Sequence, residues 1–204
     1  MESILELVEK GGFTAYLLLF LSVLSWAIIV ERVINLRAGS FTSKSIKDVK
    51  TLLASGDIDG ALKLLSLDKS PASAILYRLL EDYKNGNADR RALLSDLSFE
   101  VSLLVPKVEK NLALLSTIAS VSPLVGLFGT ITGLIKVFSA FAVSQTEQGL
   151  ALLSAGISEA LVAAAMGLAV AIPSLVAYWI FRIIGNGIID RVESELAEVI
   201  RVLK

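Results

Sequence analysis

The chain has 204 residues, 54% of them apolar and 19% charged, and its 19 basic and 20 acidic side chains leave a net charge of −1. Soluble domains usually carry about 45 to 50% apolar and about 25% charged residues, so this composition favours lipid. With no cysteine and no histidine, disulfides, thiolate and imidazole catalysis and the usual zinc or haem ligands are excluded; no basic stripe points to nucleic acid, and no cofactor or metal is expected.

The leader, residues 1–10, sets Glu2, Glu6 and Glu9 against Lys10, whereas a secretory signal wants a basic leader and a small-residue cleavage site. Glu31 and Arg32 follow the first apolar stretch directly. That stretch is therefore expected to stay attached and to span. Residues 11–30, 111–135 and 160–181 contain no Asp, Glu, Lys or Arg. Each reaches the roughly 20 residues that carry a helix across about 30 Å of hydrocarbon, a length that buried soluble helices rarely reach uncharged. The fold class is an all-α integral membrane protein, three transmembrane helices with long cytoplasmic helical extensions.

Basic residues gather after the first span (Arg32, Arg37, Lys44, Lys47, Lys50) and after the third (Arg182, Arg191, Arg201, Lys204), while residues 139–153 have only Glu147 as a charge. The positive-inside rule then divides the chain into an outside N-terminus with the first helix (1–35), a cytoplasmic helical region (36–110), the second helix (111–143), a short outside loop (144–153), the third helix (154–183) and a cytoplasmic C-terminal helix (184–204). Within the cytoplasmic region Leu52, Leu53, Leu62, Leu65, Leu76, Leu79 and Leu80 recur at helical spacing. Turn signals at Gly56-Asp57, Ser70-Pro71 and Asn85-Gly86-Asn87 cut it into short helices. From Ala88 the pattern resumes through Leu93, Leu94, Leu97, Val101, Leu104 and Val108, predicting one long helix that enters the second span with Pro106 as its sole kink. After Phe181, Ile184, Ile188, Val192, Leu196 and Val199 predict an amphipathic continuation of the third helix.

The second span carries SPLVGLFGTITGL over residues 122–134. Gly126, Gly129 and Gly133 form a surface for close helix approach, and Pro123 frees a backbone carbonyl. Thr130 is the hydroxyl beside those glycines; it either lines a pore or bonds back to the carbonyl one turn earlier. Lys136 is expected to reach the interface by its long stem. The third span interleaves two small-residue ladders, Gly156/Ala160/Ala164 and Ala163/Gly167/Ala171, and contains Pro173. Such ladders let membrane helices pack and alone identify no function. Glu159 sits on that small face, where an acidic group costs a few kcal/mol unless it meets water or a partner; a solvated place in the outer interface is the alternative.

SPLVGLFGTITGL, with GISEAL (156–161) and GLAVAIPSLVAY (167–178), resembles the MotA/TolQ/ExbB proton channel family, on its TolQ/ExbB side. SWAIIVERV (25–33) is similar too, though less specifically. The resemblance implies a subunit of a motor in the bacterial inner membrane, multi-pass, with its N-terminus periplasmic and its C-terminus cytoplasmic. It implies a homopentamer around a dimer of a single-span TolR/ExbD-type protein bearing a membrane Asp, acting on a TolA- or TonB-like protein. Thr130 and Glu159 match family positions lining the ion path, and Ala164 stands where family members often have a threonine. That leaves proton or sodium open. The first span inclines the reading towards Tol-Pal maintenance of the outer membrane over TonB-dependent uptake.

Three spans with an outside N-terminus argue against a flagellar stator of the four-span MotA type, although a specialised gliding-type stator using another ion stays an alternative. Intramembrane proteolysis lacks its histidine or its pair of membrane aspartates, so no enzyme is expected. A non-conducting scaffold is the remaining alternative. It would tolerate alanine at Glu159 and Thr130.

Overall fold

The computed structural model describes residues 12–36, 41–42, 45–143 and 147–203. Among them are eight helices and no strand: α1 (Gly12–Asn35), α2 (Ile46–Ala54), α3 (Ile58–Leu67), α4 (Pro71–Lys84), α5 (Arg90–Ser102), α6 (Val105–Val108), α7 (Leu112–Val143) and α8 (Glu147–Ile200). α1, α7 and α8 are long and apolar enough to cross a membrane. The acidic leader lies outside the described residues. α8 begins at Glu147, seven residues before the expected start of the third span at 154; of the expected outside loop, 144–146 also lie outside the description.

The chain folds as two compact units, one from residues up to Glu31 together with Asn111–Ile180, the other from Arg32–Lys110 together with Phe181–Lys204. In the first, each helix buries one narrow stripe and turns its large apolar side chains outward. α1 buries Thr14, Ala15, Leu18, Ser25 and Ile28 while exposing Phe13, Phe20, Val23 and Trp26. A soluble domain hides such residues, but lipid or a neighbouring subunit accepts them without cost. The stripe on α7 runs Leu112, Leu115, Ala119, Ser122, Gly126, Gly129, Gly133 and Val137, steps of three and four throughout; that on α8 runs Gly156, Ala160, Ala163, Gly167, Ala171 and Ser174. The two stripes face each other antiparallel. A methyl group added at Gly126 would lie 2.9 Å from the Ala163 carbonyl oxygen and 3.2 Å from Gly167 Cα, and one at Gly167 would lie 2.8 Å from the Ser122 carbonyl oxygen. At this crossing the helices touch backbone to backbone, so contact there comes from van der Waals fit and not from exclusion of water.

The second unit is built like a soluble helical domain. Val49, Leu53, Ala61, Leu65, Ala72, Leu76, Leu80, Leu93, Leu97 and Val101 are all nearly inaccessible. Each turn signal has its physical counterpart: Asp57 accepts from the Gly60 amide at the start of α3, Ser70 from Ser73 ahead of Pro71, and Asp89 from Ala92. These side chains satisfy amides that a helix start leaves unpaired. Gly56 and Gly86 take positive φ values of 85° and 73°, which only glycine adopts freely. The exposed Lys50–Glu198 pair holds the Glu198 carboxyl below its usual range, chiefly through the hydrogen bond. Its small contribution is therefore present at neutral pH and is lost as pH falls through that lowered value.

Two expectations are corrected. The long helix from Ala88 into the second span is broken twice, at Leu103–Leu104 and again at 109–111. Pro106 has no amide and its ring crowds the carbonyl four residues back, at Ser102, where α5 ends; Asn111 adopts a left-handed φ of 61°, a conformation asparagine tolerates better than most residues. The Arg32 guanidinium donates to the freed Val108 carbonyl at 3.1 Å, and Arg32 is only 3% exposed. On the C-terminal part of α8 the buried face runs through Phe181, Gly185, Ile188, Val192, Leu196 and Val199, whereas Ile184 is exposed. Gly185 belongs there because a methyl group would meet Val108 at 2.7 Å.

The glycines of α7 should differ in tolerance. Gly126→Ala should destabilise the helical bundle by about 1 to 3 kcal/mol through overpacking, whereas Gly133→Ala, whose nearest neighbour would be 3.4 Å away, should be near neutral; thermal unfolding in detergent followed by tryptophan fluorescence separates them.

Candidate functional site

The crossing of α7 and α8 fixes a register. Gly126 opposes Ala163 and Gly167, Gly133 opposes Ala160 and Gly156, and Val137 packs on Gly156. Residues three and four apart share a face, so this register brings Lys136, one turn on from Gly133, close to Glu159, next to Ala160. The Lys136 ammonium lies 3.7 Å from Glu159 Oε1. The same oxygen is 2.9 Å from the point where a methyl group on Gly12 would sit, and Gly12, at φ 59°, opens α1. Glu159 thus lies between the Lys136 ammonium and the first turn of α1. A side chain at position 12 would displace the carboxylate.

Thr130, half-buried one turn after Gly126, donates its hydroxyl to the Leu127 carbonyl at 2.7 Å. With its proton so used, the oxygen presents only lone pairs. It can accept a proton or ligate a cation but not donate. Ala164, also half-buried, has its Cα 3.3 Å from the same added-methyl position at Gly126; its side chain brings no polar atom. The remaining ladder members Ala160, Ala163 and Ala171 are 3%, 1% and 6% exposed, and with Gly156 and Gly167 they lie inside this subunit. The small-residue faces are therefore occupied by α7–α8 packing, with Thr130 and Ala164 half-buried at their margin. Pro123 is half-buried and Pro173 exposed.

Three features escape a reading of the sequence. Lys136 reads as a snorkelling lysine, yet it forms the ion pair of Glu159; aligning the glycine ladder of α7 antiparallel to that of α8 was the signal that could have found it. Thr14, 5% exposed, packs with Ala163 around Gly129, whose added methyl would lie 2.6 Å from Thr14 Oγ1. Nothing in the first span marks that residue. Ser25 and Ser174 meet at 2.6 Å, buried. Because Ser174 donates to the Val170 carbonyl at 2.7 Å, Ser25 donates to Ser174, and both hydroxyls are satisfied within the apolar layer.

Residues 67–194 match the MotA/TolQ/ExbB proton channel family. The chain is similar to the biopolymer transport protein ExbB of Salmonella typhimurium, 32% identical over 182 residues that cover 83% of this chain and 72% of the relative. It is 36% identical to the putative biopolymer transport protein ExbB-like 3 of Synechocystis, over 84% of this chain and 81% of that one. With the Tol-Pal system protein TolQ of Haemophilus influenzae it shares 27% identity, over 85% and 82% of the two chains.

Since the Thr130 hydroxyl bonds only within its own helix turn, Thr130→Val should leave thermal stability within about 1 kcal/mol of the parent. Thermal unfolding of the purified protein checks this.

Proposed function

The chain belongs to the MotA/TolQ/ExbB proton channel family, and from this membership we propose that it is a stator subunit of a TolQ/ExbB-type motor that turns ion flow across the bacterial inner membrane into work on the cell envelope. The observation that carries this reading is Glu159, a carboxylate at the α1–α7–α8 junction, beside Lys136 in a largely apolar bundle. An ionisable side chain in such a segment is costly and marks an ion or substrate path by default. Thr130, oriented as an acceptor, supplies a second polar station. Ala164 supplies none. The ion is the proton in this reading.

A charge crossing the membrane gains about 2.3 kcal/mol per 100 mV, and work requires a second body against which the gain is spent. The single chain has only one carboxylate of this kind among its described membrane residues, which supports a separate partner bearing the other: a dimer of a single-span TolR/ExbD-type protein inside a homopentamer of this chain. The outward large apolar residues of α1, α7 and α8 suit contact with lipid and with neighbouring copies. The basic residues after the first and third spans support an N-terminus in the periplasm, residues 36–110 and 184–204 in the cytoplasm, and a short connection outside. The relatives bear both ExbB and TolQ names, so a TonB-like and a TolA-like protein are equally fitting recipients of the work.

Native mass spectrometry of the complex from its own membranes should give five copies of this chain with two of a small single-span protein. In liposomes that complex should pass protons, and Glu159→Gln should reduce the flux at least tenfold with the assembly intact. A pentamer lacking such a partner, or flux indifferent to Glu159, would return the chain to a passive scaffold.

A further inference from the structure

Lys136 is the only basic residue among the described residues of the membrane unit, and its ammonium lies 3.7 Å from Glu159 Oε1. Charge-free sequence runs up to Lys136 from one side and away from Glu159 on the other, so the pair closes the apolar layer at one end of the bundle. The two partners are not held alike. Glu159 lies between α1 and α7, with its side chain 31% exposed, while the Lys136 side chain is 71% exposed on a flexible four-carbon stem. At 3.7 Å the contact is a charge pair without a hydrogen bond. The ammonium can therefore leave the carboxylate at small cost.

We propose that Lys136 gates Glu159 as a tethered cation: in the resting subunit its ammonium occupies the carboxylate and repels an entering cation, and ions use the site only when the stem swings away. A mobile proton or metal cation and the Lys136 ammonium compete for one negative charge, and the tethered one has the higher local concentration. The positive charge that Lys136 holds beside the site acts on every cation, so the gate limits leak in general and not one ion in particular. A lysine that only snorkels would have no such effect. This inference rests on the conduction reading above, since a gate needs a current.

The test is passive flux through the complex, reconstituted with its single-span partner in liposomes under a potassium diffusion potential, and normalised to assembled complex counted by size-exclusion chromatography. Lys136→Gln and the more nearly isosteric Lys136→Met should each raise proton leak per complex at least threefold. Lys136→Arg, which keeps the charge, should stay within about twofold of the parent. Adding Glu159→Gln to Lys136→Gln should abolish the extra leak. Leak in both neutral variants equal to or below that of the parent, with flux still dependent on Glu159, overturns the gate while leaving the conduction reading intact. Flux no greater than that of empty liposomes in every variant overturns both.

Discussion

The close approach of α7 and α8 is the constraint on which the rest of the membrane unit depends. Gly126 and Gly167 bring the two backbones together with no room for a side chain between them, and in lipid such contact rests on dispersion, which falls off within an ångström of misfit. Because the crossing has one register, it fixes which residues meet elsewhere along both helices. Gly133 falls opposite Ala160, and one turn further Lys136 falls beside Glu159. The chemistry of the site is thus a consequence of packing at a point more than two turns away.

α1 joins this pair through polar contacts that lipid makes obligatory. The Ser25 hydroxyl is satisfied by Ser174, and Ser174 by its own helix. An apolar surround offers no water to replace either bond, so the pair specifies where α1 lies along α8. At the other end of α1, the bare Gly12 allows the Glu159 carboxylate to approach the first turn of the helix. Hydroxyls, a glycine and a carboxylate together align a helix whose exposed surface is mostly apolar. No buried side-chain polar atom among the described residues lacks a partner.

The unit formed by Arg32–Lys110 and Phe181–Lys204 follows different rules. Leu76, Leu80, Leu93, Leu97, Val192 and Leu196 are almost wholly inaccessible, and their removal from water, about 25 cal/mol for each Å² of apolar surface, stabilises this unit as it would a soluble protein. Apart from the end of α8, its helices are short and separated by turns, and α3, α4 and α5 are capped by Asp57, Ser70 and Asp89. The interruption at 103–111 needs help from outside its own sequence: Arg32, remote in the chain, supplies the donor that the Val108 carbonyl lacks.

The sequence by itself determined three spans, the family, the short helices between turn signals and the small-residue faces, because each follows from composition or from spacing along one segment. Length without charge makes a span, and glycine or alanine every fourth residue makes a close-packing face, whatever lies opposite. It also singled out Glu159, since a carboxylate in an apolar run is conspicuous before any fold is known. Tertiary structure decided what those faces meet and what Glu159 is paired with. The ladders are spent within the subunit between α7 and α8, and Lys136, which alone reads as an interface lysine, reaches the carboxylate only through the register those ladders impose. The broken helix at Pro106 and the inclusion of Gly185 in the C-terminal buried face were hidden for the same reason. Periodicity reports which residues avoid water, whereas a carbonyl satisfied by Arg32 and a methyl excluded by Val108 depend on groups far apart in the chain.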